Sequence, residues 1–323
     1  MKGRLRLASV CLLILGPAAA GTLDILGKIP LPGSKGRIDH LAFDAAHQRL
    51  FVAERGNDTV AVVDVDKRRL DRRLEGHTEP QGVAYFAPLN RLYVADGGDG
   101  MVRAYDATSF RLVFSARLSG DADNVRIDPR EKRLYVGYGD GALAVLDPGS
   151  LKRISDIALK AHPESFQLST IDGRIYVNVP DAKAIAVVDR NTGRPPTSWP
   201  ATNWSSNYPM AIDEESRTVL SVFRRPARIA SYAMKDGSLS ADAEVCGDAD
   251  DLFVDANRNR VYVVCGEGVV DVLDRKTLKR IARIPTLPGA RTGLFSTEVN
   301  LLFVATRADG SHEAAVWMLK PQD

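Results

Sequence analysis

The sequence predicts an all-β protein built as a closed ring of repeated sheets. Three observations carry this prediction: one short phrase recurs seven times, a second phrase follows it in most repeats, and strand-forming residues alternate with turn residues throughout. The composition fits a folded globular chain, because 45% of the residues are hydrophobic and 26% are charged.

The first phrase is Arg-Leu-Tyr-Val or a close variant. Its second residue recurs at spacings of 42, 42, 41, 44, 42 and 41, at Leu50, Leu92, Leu134, Ile175, Val219, Val261 and Leu302. The second phrase resembles Val-x-Val-x-Asp and ends at Asp64, Asp106, Asp147, Asp189 and Asp274. Both are rich in β-branched and aromatic residues and are bounded by Gly, Asn and Asp, so each predicts a strand between tight turns.

Each repeat also contains a smaller apolar strand before the first phrase and a more polar strand at its end. Four antiparallel strands every 42 residues predict a propeller blade, so the chain is expected to form a single seven-bladed β-propeller. The last repeat is one strand short, and residues 23–31 supply a spare strand. We therefore expect the N-terminal strand to join the last blade and close the ring, which removes two sheet edges.

Residues 1–20 form a separate segment ahead of the repeats. Three basic residues precede the apolar run 7–15, and Ala18 and Ala20 end it in an Ala-x-Ala pattern. This is typical of a signal peptide cleaved after Ala20, so residues 21–323 are expected to be the exported propeller. No later stretch approaches 18 apolar residues, and we expect no membrane-spanning segment. Without the three leader charges, 40 basic residues face 41 acidic ones, which argues against nucleic-acid binding.

The two phrases, about 42 residues apart behind a signal peptide, resemble those of the YVTN-repeat, YncE-like family of exported seven-bladed propellers. The match extends over the mature chain. It departs in the fifth repeat, where Thr218-Val-Leu-Ser lacks Arg and Tyr and Ser231-Tyr-Ala-Met lacks the final Asp, and in the seventh, where Trp317-Met replaces that Asp. The resemblance implies the fold and a periplasmic location. It implies no reaction, because propellers host many unrelated activities.

The mature chain contains two cysteines, Cys246 and Cys265. An even number in an oxidising compartment favours one disulfide, and two buried free thiols remain the alternative. Both residues are predicted at strand ends on the same face of the ring, so a bond would pin the loop that contains residues 248–251.

One face of the ring is the predicted site, because the loops from strand four to the next strand one and from strand two to strand three share it. Its polar side chains should surround the mouth of the central channel, where propellers commonly bind ligands. The candidate ligand-binding residues are Asp39, His40, Gln81, Asp123, Asn124, His162, Glu164, Arg225, Asp250, Asp251, Glu267 and Arg291. No catalytic residue is assigned, because the chain lacks nucleophile-elbow, zinc-protease and nucleotide-binding motifs.

Three functions remain open for this mouth, beside the simple possibility that its polar residues only solvate the channel and cap turns. The favoured one is non-catalytic binding of a small ligand or a periplasmic protein partner by a monomer. The second is a metal-dependent lactonase or esterase, in which a divalent ion such as Ca²⁺ would be held by His40, Asp123, Asn124, Glu164 and Asp250. The third is a propeller subunit of a periplasmic oxidoreductase with its redox cofactors on other chains. No cofactor is firmly implied.

Overall fold

The computed structural model describes residues 22–190, 192, 194–201 and 203–323, and the predicted signal peptide lies outside these residues. Six blades follow one another along the chain, each with its strands in sequence order from the channel outward. Blade 1 contains β2 (Leu41–Asp44), β3 (Arg49–Glu54), β4 (Thr59–Asp64) and β5 (Arg69–Leu74); blade 2 contains β6 (Pro80–Phe86), β7 (Arg91–Asp96), β8 (Met101–Asp106) and β9 (Leu112–Arg117); blade 3 contains β10 (Val125–Asp128), β11 (Arg133–Tyr138), β12 (Ala142–Leu146) and β13 (Arg153–Ala158).

The fourth to seventh blades repeat this pattern. Blade 4 contains β14 (Phe166–Leu168), β15 (Arg174–Val179), β16 (Ala184–Asp189) and β17 (Thr197–Pro200); blade 5 contains β18 (Ser205–Asp213), β19 (Thr218–Arg225), β20 (Ala227–Ala233) and β21 (Leu239–Glu244); blade 6 contains β22 (Ala249–Asp255), β23 (Arg260–Cys265), β24 (Val269–Asp274) and β25 (Arg280–Pro285); blade 7 contains β26 (Thr292–Ser296), β27 (Leu301–Thr306), β28 (Ala315–Pro321) and β1 (Leu23–Pro30). All neighbouring strands pair antiparallel, which confirms the seven-bladed prediction.

The N-terminal strand closes the ring as expected. In the antiparallel pair of β1 and β28, Leu23 lies opposite Pro321 and Pro30 lies opposite Ala315. Ile29 of β1 is fully buried in a core that it shares with Val316 of β28. Blade 7 therefore has four strands, and both ends of the ring are joined by backbone hydrogen bonds within one sheet.

The repeated phrase forms the second strand of each blade because that strand is covered on both faces. In blade 1, Leu50 packs in the core shared with blade 7, whereas its neighbour Phe51 packs in the core shared with blade 2. Alternate residues of a strand point to opposite faces, so Arg-Leu-Tyr-Val sends one large apolar side chain toward each adjacent blade. The phrase is thus the packing unit of the ring.

Short single-turn helices connect the first two strands of blades 1, 2 and 6 and the second and third strands of blades 1 and 4. They span Ala45–His47, Arg55–Asn57, Ala87–Leu89, Pro180–Ala182 and Ala256–Arg258. No helix among the described residues is long and apolar enough to span a membrane.

Candidate functional site

One structurally equivalent residue from each blade surrounds the mouth of the channel. In blade 1, Val52 of the repeated phrase pairs with Leu41 of the inner strand, and this residue is Asp39, two positions before Leu41. The other six blades place a residue at the same position relative to their own repeated phrase. We call these seven residues the mouth ring: Asp39, Gln81, Asp123, Glu164, Tyr208, Asp250 and Arg291. Four of the seven are carboxylic acids, so folding brings together acids that lie far apart in the sequence.

Backbone pairing at the strand ends holds these residues in place. Asp123 and Asn124 precede β10, where the amide of Asp123 donates to the oxygen of Gly137 over 2.9 Å, and the Gly137 amide donates back to Asn124. Asp250 is the extra residue of a β-bulge, since Ala249 pairs with Cys265 and Asp251 pairs with Val264. Bulges redirect a side chain relative to its strand, which allows Asp250 to point into the mouth.

Gly82 sets the distance between blades 2 and 3 next to Asp123. A Cβ atom at Gly82 would lie 1.9 Å from the backbone oxygen of Asp123. A side chain at residue 82 would therefore displace the segment that carries Asp123, because a clash with a backbone atom cannot be relieved by a rotamer change.

Asp250 is the most heavily paired acid of the mouth ring. Its Oδ1 lies 2.6 Å from Arg224 Nη2, and its Oδ2 lies 3.0 Å from Arg291 Nε and 3.5 Å from Arg37 Nη2. Arg37 also contacts Asp39 at 3.0 Å. Burial nevertheless raises the pKa of Asp250, with the arginines opposing and Asp39 adding to the rise.

His40 is held as an imidazolium cation. Its Nδ1 lies 3.4 Å from Asp251 Oδ1, and its Nε2 lies 3.8 Å from Asp39 Oδ1. Burial lowers the pKa of His40, but Asp251 and Asp39 raise it more, to about 10. Both ring nitrogens then carry protons near neutral pH and face the two carboxylates.

Asp123 and Glu164 are the two acids of the mouth ring that form no ion pair with a described residue. Burial and the charge of Glu164 raise the pKa of Asp123 to about 7, and His40 opposes this. Burial and Asp250 likewise raise the pKa of Glu164 to about 7, against Arg224. Asp123 is only 7% exposed. Its Oδ1, like Oδ1 of the neighbouring Asn124, is buried without a hydrogen-bond donor from the described residues, which is rare for a buried acceptor.

The edge of the mouth next to Asp123 is held by polar contacts around Asp121. Gln81 Nε2 donates to Asp121 Oδ1 over 3.0 Å, and His162 Nε2 lies 3.7 Å from Asp121 Oδ2. His162 Nδ1 donates to the oxygen of Gly139 over 2.6 Å. These contacts fix Gln81 and His162 as the border of the mouth beside Asp123.

Two residues predicted for the site lie elsewhere. Arg225 is exposed, and the preceding Arg224 makes the contacts at the mouth, because adjacent residues of β19 point in opposite directions. Glu267 is half exposed and accepts a 2.8 Å hydrogen bond from the Gly247 amide, so it holds the cysteine loop and does not face the channel. The sequence analysis missed the roles of Arg37, Asp121, Tyr208 and Arg224, although alternation along the strands could have placed Arg37 on the side of Asp39.

The predicted disulfide is present at the edge of the site. The sulfur atoms of Cys246 and Cys265 are 2.03 Å apart, and both residues are buried. Asp248 lies in the loop between them, and its Oδ1 is 3.0 Å from Arg291 Nη1 and 3.4 Å from Arg224 Nε. The bond therefore fixes a loop that carries two acids of the mouth.

The five residues suggested as metal ligands do not form a metal centre in this arrangement. In the part of the chain that the structure describes, no three His, Cys, Asp or Glu side chains are grouped so that they could hold a metal ion. The five residues all lie at the mouth. His40 and Asp250 contact charged partners there, whereas Oδ1 of Asp123 and of Asn124 has no hydrogen-bond donor among the described residues.

A central channel of about 430 Å³ continues below the mouth between the inner strands. His40, Ser165 and Asp251 lie at its upper end, Arg126 and Gln167 line its middle, and aromatic residues such as Tyr85 line it further down. This volume is at the lower end of the range for small-molecule sites, about 300–1,000 Å³.

Comparison with known proteins supports the architecture. No family model matches the sequence, and neither does any curated protein. Among solved structures, the chain is similar to one described as Kuenenia stuttgartiensis hydrazine synthase, with a TM-score of 0.75 and 15% sequence identity over 88% of this chain and 98% of that one. At this identity the likeness shows a shared fold.

Proposed function

We propose that the protein is an exported, non-catalytic binding protein whose mouth ring holds a positively charged nitrogen of a small ligand. The observation that carries this proposal is Oδ1 of Asp123, a buried acceptor without a donor beside a second acid, Glu164. The basic and apolar segment at residues 1–20 supports export.

The charges of the mouth favour a cation at this position. Arginines already contact Asp250 and Asp39. For Asp123 and Glu164, burial is the largest cause that raises each pKa to about 7. Two neighbouring like charges, one buried and one half-buried, are unfavourable together, so the pair retains a proton near neutral pH. An ammonium or guanidinium group would donate hydrogen bonds to both acids and replace that proton.

Proton release gives a direct test of this proposal. Titration calorimetry with n-butylammonium at pH 7, repeated in buffers of different ionisation enthalpy, should show binding coupled to release of up to one proton. At pH 9 the release should disappear, because both acids are already ionised. Binding without proton release at pH 7 would argue against the pair as the cation site.

Matched variants complete the test. Asp123→Asn should weaken n-butylammonium binding at least about tenfold, because a charged hydrogen bond contributes about 1.5–3 kcal/mol. Asp140→Asn removes an exposed acid from the same face and should leave binding unchanged. Equal binding by both variants, or no binding of the cation to the native protein, would contradict the proposal.

A second candidate, hydrolysis with Asp123 and Glu164 as acid and base, is favoured by their pKa values near the operating pH. It predicts turnover of chromogenic esters or lactones that is lost in Asp123→Asn and Glu164→Gln. If cations bind and no ester or lactone is hydrolysed, only the binding function is supported.

A further inference from the structure

We propose that the channel below the mouth holds an anionic group of the same ligand on Arg126, so that the ligand is a small zwitterion of the amino-acid class. This inference rests on the proposed function, since the mouth ring would hold the cationic end.

Arg126 is the one charged residue at its level of the channel. The equivalent positions in the other six blades carry uncharged residues: Ala42, Ala84, Gln167, Ala211, Phe253 and Leu294. Arg126 is half-buried on β10 and lines the 430 Å³ channel. Its guanidinium therefore faces a space in which no neighbouring blade supplies a carboxylate at the same height.

The other arginines of the site form ion pairs with acids, whereas Arg126 forms none with a described residue. Arg37, Arg224 and Arg291 each lie within 3.5 Å of acids of the mouth. Nη1 of Arg126 donates to its neighbour's backbone oxygen, at Val125, over 2.9 Å. Among the described residues, no acidic oxygen forms an ion pair with Arg126 within the 4.0 Å that defines one. A guanidinium in this state retains donors for a ligand.

The surroundings of Arg126 make a bound anion favourable. Burial lowers the pKa of Arg126, and the more distant Asp251 and Asp123 offset this in part. The guanidinium carbon of Arg126 lies 5.8 Å from the centroid of the Phe166 ring, but a partly buried cation without an ion-pair partner is still unfavourable. A carboxylate can satisfy a guanidinium through two parallel hydrogen bonds. Ser165, which also lines the channel, offers a hydroxyl donor to the same anion.

Two groups of opposite charge lie close together in the sequence here, since Asp123 stands two residues before the start of β10 and Arg126 is the second residue of that strand. Among the described residues, Asp123 Oδ1 at the mouth has no hydrogen-bond donor. Arg126, three residues further along, donates to the backbone oxygen of Val125 and forms no ion pair with an acid of the described chain. A free anion would satisfy only Arg126, and a simple amine would satisfy only Asp123. A molecule that carries both groups satisfies both, with its hydrocarbon part in the upper half of the channel between the mouth and Arg126.

A homologous series of probes tests this inference. Binding of the ω-amino acids from glycine to 6-aminohexanoate is measured by calorimetry at pH 7, beside n-alkylamines and n-alkanoates of matched length. At least one amino acid should bind at least tenfold more tightly than both of its matched single-charge probes, because linking the two groups makes the second contact intramolecular.

Two arginine variants assign the anionic end. Arg126→Gln should remove the advantage of the amino acid over the matched amine, whereas Arg225→Gln, which changes an exposed arginine on the same face, should preserve it. Retention of circular dichroism and melting behaviour in Arg126→Gln shows that the ring is intact.

The possible failures are distinguishable. If amines bind through Asp123 as tightly as the matched amino acids, or if Arg126→Gln retains the full preference, the zwitterion inference is wrong and the cation-binding function stands. If no amine and no amino acid binds, both proposals are wrong.

Discussion

Arg224 Nη2 lies 2.6 Å from Asp250 Oδ1, across the junction between blades 5 and 6. The same guanidinium donates from Nε to the backbone oxygen of Ala249 over 2.9 Å and stacks on Tyr208, with 4.1 Å between its carbon and the ring centroid. One side chain thus joins two neighbouring members of the mouth ring, Tyr208 and Asp250.

The first prediction concerns this junction. Arg224→Gln should lower the free energy of unfolding by about 1–3 kcal/mol, because it removes a charged partner from a buried acid. Arg225→Gln should change it by less than about 0.5 kcal/mol, as for most exposed residues. Urea unfolding measures both, and equal losses in the two variants would show that the assignment of Arg224 is wrong.

The second prediction concerns pH. The pKa of Asp123 is raised from 3.8 to about 7, so its contribution to stability is present below pH 4 and is lost as the pH rises through 7. The native protein should therefore lose more melting temperature between pH 5 and pH 8 than Asp123→Asn does. At pH 8 the variant should be the more stable protein, whereas Asp140→Asn should follow the native curve.

The third prediction concerns the disulfide between Cys246 and Cys265, which are 19 residues apart. Replacing both cysteines with Ala should reduce stability by about 3 kcal/mol, from the entropy of the unfolded loop. It should also weaken ligand binding, because the loop carries Asp248 and Asp250. Unchanged unfolding in the double variant would mean that the bond does not constrain the chain.

The fourth prediction concerns the closing strand. Ile29→Ala should cost about 2–5 kcal/mol because Ile29 is fully buried, whereas Ile25→Ala on the same strand should have little effect because Ile25 is 47% exposed. Denaturant unfolding compares the two. A similar loss from both would indicate that β1 is not packed as described.

The fifth prediction concerns export. Protein recovered from the periplasm of an expressing bacterium should begin at Gly21, which N-terminal sequencing determines. Retention of the uncleaved chain in the cytoplasm would contradict the proposed location.

The fold could be predicted from the sequence because each blade repeats the same physical requirement. Leu50 and Phe51 illustrate it, since one packs on each side of the same strand and the pair recurs in nearly every repeat. The same repeat allowed six of the seven residues of the mouth ring to be predicted. The seventh, Tyr208, was not predicted because it lies in the irregular stretch before blade 5.

The contacts within the mouth could not be predicted in the same way. Whether Arg224 or Arg225 faces Asp250 depends on the local geometry at the end of β19, and the pairing of Arg37 with Asp250 joins the first repeat to the sixth. The pKa values of Asp123 and Glu164 arise from burial among seven converging blades, which no single segment encodes.

The pairing of β1 with β28 joins two segments that six blades separate in the sequence. Leu23 pairs with Pro321, so β1 has no partner in its sheet until β28 is available. Bringing such distant segments together carries a large loop-closure entropy and slows folding. A polypeptide terminated before Ala315 would leave β1 and β27 with open edges, and would be exposed to aggregation and proteolysis. The last turn of the ring is thus stabilised by contacts between segments that are remote in sequence, and β28 protects the edges of both of its neighbours.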